Sequence, residues 1–208
     1  MQLVDIHTHK ICSESDVIAI RNISLKEFEK IPQSEIGFFS LGIHPWEVKN
    51  ISEQQLNQLE KLAADSRVKI IGECGLDKTI DTILDTQLYL FKKQIEISEK
   101  LKKPIIIHCV GYYNELFAFR KELNPTQKWI IHGFRGKPQL ALQALQYGFE
   151  ISFGEKFNTE SVKITPIENM YVETDESKKS IKEIYKSIAE IKQCSVNSII
   201  SALSLLNL

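Results

Sequence analysis

A chain of 208 residues, 43% hydrophobic and 25% charged, can bury a substantial core and has the balance of a globular protein, expected as one domain over 1–208. A formal net charge of −1 supplies no global basic field, so any polyanion must be met by a local patch. No run is long and apolar enough to span a bilayer, and Asp5 and His7 interrupt the N-terminus before a signal sequence can form. A cytoplasmic protein with no membrane contact, monomeric by default, is expected.

Along the chain, strands are expected at 3–7, 16–22, 36–43, 68–73, 104–108, 128–132, 148–153 and 170–174. Several are continuous apolar runs, such as Ile105-Ile106-Ile107 and Trp129-Ile130-Ile131, which suit parallel strands buried on both faces. Helices lie between them. Ser52 to Gln55 has the pattern of a capping box, with Ile51 placed to staple onto Leu56. Leu84, Leu88, Phe91 and Ile95 stripe a helix over 83–102, and Pro138 opens another that Gly148 closes. Ile181, Ile184, Ile188 and Ile191 stripe a helix near the C-terminus, and Val196, Ile199, Leu203 and Leu206 the last one. The alternation predicts an α/β, TIM-like (β/α)8 barrel. Only Thr8 to Ser15 join the first two strands, too few for a helical crossover. The first helix is therefore expected to be missing, with distortion between strands one and two.

All five histidines fall at the ends of these strands: His7 and His9 in LVDIHTH, His44 in LGIHP, His108 in PIIIHC and His132 in WIIHGF. Two acids join them, Glu73 in GECGLD and Asp175 in YVETD. Imidazoles and carboxylates gathered at one rim of a parallel sheet read as a metal site. Alternation along the first strand puts Asp5, His7 and His9 on one side, with His7 and His9 as ligands and Asp5 as a deeper hydrogen-bonding acid. A carboxylate at Glu73 can bridge two cations, and Gly72 and Gly75 leave the backbone room to turn. His108 and His132 are the candidate ligands of a second ion. Asp175 can both ligate and accept a proton from water. Asp77 is expected to hold the loop after strand four, while Glu173 either lines the site or is a buried structural acid.

Two such cations activate a hydroxide and stabilise a leaving group, which is hydrolytic chemistry. Neither GxGxxG nor GxxxxGK[ST] is present, so nothing points to nucleotide cradling. His44, ahead of Pro45, either touches substrate or braces its loop. Arg135, Lys137, Lys156, Lys78, Lys178 and Lys179 all follow strands and either meet phosphates or carry solvated charge. Cys12, Cys74, Cys109 and Cys194 form no CxxC pair and read as reduced thiols, with Cys74 and Cys109 next to expected ligands.

These motifs (DIHTH, LGIHP, IGECGLD, the helix with Gln87 and Gln94, KPIIIHC, IIHGFRG, SFGEKF and VETDES) closely resemble the TatD family of metal-dependent hydrolases, within the amidohydrolase-like barrels. The resemblance covers most of residues 1–180. It implies a TIM-like barrel, metal ligands at His7, His9, Glu73, His108, His132 and Asp175, and phosphodiester hydrolysis, some members acting as DNases, typically exonucleolytic, and relatives on aminoacyl-tRNA esters. One or two divalent ions are expected; the donor set suits zinc, manganese, nickel or iron, and the resemblance adds magnesium. Departures are the absent first helix, a brief C-terminal segment, and His108-Cys109-Val110-Gly111, where a basic residue commonly follows the histidine; Arg135 is placed to compensate. The expected function is a divalent-metal-dependent deoxyribonuclease or phosphodiesterase. It would use a metal-bound hydroxide at the C-terminal rim, with Asp175 and Glu73 catalytic and His44 and Arg135 binding DNA or a small phosphodiester. The alternative enzyme is a carboxyl ester or amide hydrolase, aminoacyl esters included, on the same site. A non-catalytic degenerate barrel is the remaining reading.

Overall fold

The computed structural model describes residues 2–202. Eight β-strands alternate with helices: β1 (Leu3–Thr8), β2 (Val17–Ile23), α1 (Leu25–Phe28), β3 (Phe38–Leu41), α2 (Glu53–Ala63), β4 (Val68–Asp77), α3 (Leu84–Leu101), β5 (Ile105–Val110) and α4 (Tyr113–Leu123) come first. They are followed by β6 (Trp129–Ile131), α5 (Pro138–Gln146), β7 (Glu150–Phe153), α6 (Thr159–Ile164), β8 (Met170–Val172), α7 (Ile181–Lys192) and α8 (Val196–Ala202). The strands follow one another in the sheet in chain order, the (β/α)8 succession expected from the sequence. Leu203 and Leu206, assigned to the last helical stripe, lie outside the described residues. Two compact units divide the chain, one formed by residues 1–21 and 131–208, the other by 22–130.

In the first unit, β1 and β2 pair in parallel although residues 9–16 between them form no helix, as the short connection required. The register runs Leu3↔Val17, Val4↔Ile18 and Asp5↔Ala19, then shifts so that Thr8 pairs with Arg21. One extra residue in β1 makes a bulge at Ile6-His7, which re-aims side chains where the strand leaves the core. That is the form the expected distortion takes. β7 and β8 pair in parallel and are buried on both faces, from Ile151↔Met170 to Phe153↔Val172. Helix α7 begins at a capping box made by Ser180 and Glu183 and buries Ile181, Ile184 and Ile188. Ile191, the last residue of the expected stripe, is only half-buried.

In the second unit β3, β4 and β5 are parallel neighbours, and Ile105, Ile106 and Ile107 are fully buried. Ser52 and Gln55 form the expected capping box at the start of α2. Strand β4 runs four residues beyond its expected end, to Asp77, and its pairing with β5 slips between Ile71 and Cys74. Two glycines permit this. A Cβ at Gly72 would stand 2.4 Å from the Ile106 carbonyl oxygen, and one at Gly75 2.1 Å from that of His108. Both also have φ in the range that favours glycine, +124° and +142°. Glu73 therefore projects from the slip inside the strand rather than from its end.

Helix α3 buries Leu90, Phe91 and Ile95, but the same face carries Gln87 and Gln94, both buried, whereas Leu84 and Leu88 are only half-buried. The glutamines serve the neighbouring loops. Gln94 Oε1 accepts the Ile43 N–H at 2.7 Å and its Nε2 donates to the Ile43 carbonyl at 3.0 Å. Gln87 Oε1 accepts the Asp77 N–H at 2.8 Å, and its Nε2 donates to the carbonyls of Asp77 and Thr82 at 3.0 and 2.8 Å. One helix thus clamps the backbone beside His44 and at Asp77, which are otherwise far apart in sequence.

Candidate metal centre

Within the first unit, β1 and the chain after β8 are stitched together by backbone hydrogen bonds. Asp175 N–H donates to the His7 carbonyl at 2.9 Å, and His9 N–H to the Asp175 carbonyl at 3.4 Å. Asp5, buried, accepts from the Thr174 N–H (2.9 Å) and meets its hydroxyl (2.6 Å), which holds the residue before Asp175. Burial pushes the Asp5 carboxyl up to about 7 against those hydrogen bonds. Asp5 thus anchors the segment that delivers Asp175, as its deeper position on the strand suggested.

His7 is fully buried and His9 is exposed, yet both bring Nε2 to the same oxygen, Asp175 Oδ1, at 3.8 and 3.6 Å. Donors sharing one tetrahedral ion at zinc–nitrogen distances are separated by about 3.3 Å, so this trio has the spacing of a ligand set. The His132 ring lies 4.5 Å from that of His7, centroid to centroid. Behind it stands Glu173, fully buried, whose Oε1 accepts the Gly133 N–H at 2.7 Å and lies 3.4 Å from His132 Nδ1. Burial raises the Glu173 carboxyl, but contact with the His132 imidazole outweighs it and keeps the carboxyl below its usual range. A carboxylate behind an imidazole fixes its tautomer and leaves the other nitrogen for a metal. Glu173 is thus a buried, hydrogen-bonded acid, and it also stands in the wall of the cavity behind His132.

Within the second unit, Glu73 Oε1 lies 2.9 Å from His108 Nδ1 and 3.2 Å from His44 Nε2. His44 Nδ1 accepts the Trp46 N–H at 3.2 Å, so the ring proton of neutral His44 is on Nε2 and points at Glu73. That places His44 as a donor steadying Glu73. The far nitrogen of His108, Nε2, lies 3.2 Å from Asp77 Oδ2. Asp77 also accepts from the Trp46 indole N–H (2.8 Å), the Thr79 N–H (2.8 Å) and the Thr79 hydroxyl (2.6 Å). Burial opposes its ionisation, yet these hydrogen bonds bring its pKa down to about 2, a stable carboxylate. Asp77 does hold its loop, and it also orients His108 so that Nδ1 faces Glu73.

Each unit thus brings a His/carboxylate cluster together, His7–His9–Asp175 in one and His44–Glu73–His108 in the other, and in the second His44 donates to Glu73 and leaves Glu73 and His108 as the candidate ligands. The residues fit divalent metal on their own chemistry. Arg135 lines a cavity of about 360 Å³ in the first unit together with Lys156, Lys178, Glu173 and Asp175. Lys179 pairs instead with Glu155 at 3.6 Å, and Lys78 lies over the Tyr112 ring. Cys74 and Cys109 are buried, and burial holds both thiols protonated, Cys109 at about 12. Neither is a reactive thiolate. Among the described residues no helix is long and apolar enough to cross a membrane.

The fold and the clusters are those of a (β/α)8 protein whose donor sets suit a divalent metal. The TatD related DNase family model matches residues 7–205, and the chain belongs to this family of metal-dependent hydrolases that act on ester bonds. It is 27% identical over 198 residues to the uncharacterized metal-dependent hydrolase YabD of Bacillus subtilis, covering 85% of this chain and 78% of that one. It is 33% identical over 171 residues to the putative deoxyribonuclease tatdn3 of Danio rerio, covering 72% and 64%. The crystal structure of YjjV, a TatD homolog from Escherichia coli K12, superposes with a TM-score of 0.79 at 20% identity, covering 97% of this chain and 94% of that one. This likeness shows the shared (β/α)8 fold.

Proposed function

We propose that this protein hydrolyses phosphodiester bonds in DNA, with His7, His9 and Asp175 holding one divalent ion, assisted by His132, and Glu73 and His108 holding a second. The observation that carries the reading is the convergence of both imidazoles of the HTH motif on Asp175 Oδ1. A bound divalent metal supplies Lewis acidity, acidifying water and polarising the scissile ester. Asp175 is partly solvent-exposed, so its carboxylate can take the proton of an attacking water and release it. Glu173 keeps His132 in one tautomer, and Asp77 does the same for His108. The Arg135 guanidinium, in the wall of the cavity that Asp175 lines, balances charge on a substrate phosphate. His44, donating to Glu73, holds that carboxylate in place.

End-labelled single-stranded DNA, incubated with the purified protein in manganese, in magnesium and in chelator, tests the proposal. Metal-dependent laddering that Asp175→Asn and Glu73→Ala each abolish, in folded proteins, is expected. Full activity in either variant refutes the assignment. The carboxyl-ester alternative rests on His108-Cys109-Val110-Gly111, which puts no cation directly after the strand-five histidine. Turnover confined to p-nitrophenyl carboxyl esters, with none on p-nitrophenyl phosphodiesters, selects it.

A further inference from the structure

Trp46 is two-thirds exposed, at 68%, in a protein whose other tryptophan, Trp129, is fully buried. Open apolar surface of this size is normally free to shift, but Trp46 is held twice, once by its indole and once by its backbone. Its Nε1–H donates to Asp77 Oδ2 at 2.8 Å, the same oxygen that lies 3.2 Å from His108 Nε2. Its backbone N–H donates to His44 Nδ1 at 3.2 Å. The ring centroids of His44 and His108 lie 4.7 and 6.3 Å away, with interplanar angles of 80° and 73°. Pro45, at the start of the 3-10 turn that carries Trp46, restricts the backbone further. The result is a rigid, open aromatic plane beside the Glu73–His108 pair.

An exposed tryptophan held by its polar edge leaves its π-face for a flat partner, and stacking on such a platform tolerates any base. From this placement we infer that Trp46 is a substrate-binding residue that stacks an unpaired nucleobase flanking the phosphodiester. The inference rests on the phosphodiester reading above and adds to it a demand for a single-stranded, base-bearing substrate. It also gives the short GIHPW segment two tasks, since His44 steadies Glu73 while Trp46 receives the base.

Binding, measured apart from cleavage, tests it. The magnesium-loaded protein is titrated with a nuclease-resistant phosphorothioate oligothymidylate and with an abasic phosphorothioate strand of equal length, reading tryptophan fluorescence and Kd. The thymidylate is expected to quench Trp46 and the abasic strand not to, because buried Trp129 cannot be reached. Trp46→Ala is expected to weaken thymidylate binding by roughly 10-fold or more, with the abasic strand affected by less than about 3-fold. Trp46→Phe, which keeps a ring but loses the N–H, is expected to retain most of the affinity. Equal loss on both strands, or Phe behaving like Ala, overturns the proposal and assigns the indole to holding Asp77. Equal wild-type affinity for the two strands also overturns it. Base-dependent binding with no cleavage of unmodified DNA instead refutes the nuclease reading and leaves the stacking site standing.

Discussion

Replacing Gln87 with leucine tests whether α3 clamps the loop that carries Asp77. Leucine nearly conserves the volume, so little cavity opens. What is lost is a buried set of three hydrogen bonds, from the Asp77 N–H at 2.8 Å and to the carbonyls of Asp77 and Thr82 at 3.0 and 2.8 Å. An orphaned buried donor costs about 1–3 kcal/mol, and two carbonyls that each lose a partner add to it, so a total of about 2–5 kcal/mol is expected. For a chain of this size that is a fall in Tm of roughly 5–15 °C. Urea denaturation at pH 7, with an unchanged m-value, is the assay. Gln87→Glu supplies a control with a definite sign. Its carboxylate keeps an acceptor for the Asp77 N–H but faces the two carbonyls with no donor, so its pKa in the folded protein is raised above the unfolded value. Stability relative to the wild type is then restored below the unfolded pKa, as the protonated acid regains a donor, and lost as pH rises through the folded pKa. A loss under 1 kcal/mol for Gln87→Leu, or a pH-independent deficit for Gln87→Glu, refutes the clamp.

Asp77→Ala and Glu173→Gln are each expected to weaken zinc affinity by about 10- to 100-fold, measured by competition with a chromophoric chelator, because they remove the acids behind His108 and His132. Unchanged affinity in both rejects the orienting role. Glu99→Gln probes the junction between α3 and the segment before β6. Burial raises the Glu99 carboxyl, but the Thr126 hydroxyl and the N–H groups of Gln127 (2.9 Å) and Thr126 (3.0 Å) outweigh it and hold its pKa below the ordinary glutamate value of 4.5. The carboxylate's contribution, about 1 kcal/mol given its partial exposure, should be full above pH 4.5 and lost as pH falls through the depressed folded value. Denaturation midpoints that differ equally from the wild type at pH 7 and pH 3 count against it.

Two features of the sequence carried most of the architecture and the ligands. Apolar runs such as Ile105-Ile106-Ile107, separated by capped amphipathic helices, specify parallel strands because burial on both faces admits no polar alternation. Histidines placed where those runs end mark the candidate site, since strand ends are where a parallel sheet delivers side chains to solvent. The missing first helix was equally plain, because residues 9–16 are too few to make one.

Tertiary structure decided what periodicity cannot encode. The strand-four extension to Asp77 depends on Gly72 and Gly75 meeting the carbonyls of Ile106 and His108 on another strand. The place of Glu173, open in the sequence, is fully buried and 3.4 Å from His132 Nδ1, which the local pattern could not show. Asp77 looked like a loop-holding acid, and its second contact, to His108 thirty-one residues away, is long-range. Trp46 drew no notice because only its N–H, pinned to Asp77, distinguishes it from any other exposed aromatic. Local sequence determines which residues reach a strand end. Which carboxylate then stands behind which imidazole depends on contacts between segments distant in the chain, and the folded protein alone brings those to 3.2 Å at His108 and 3.4 Å at His132.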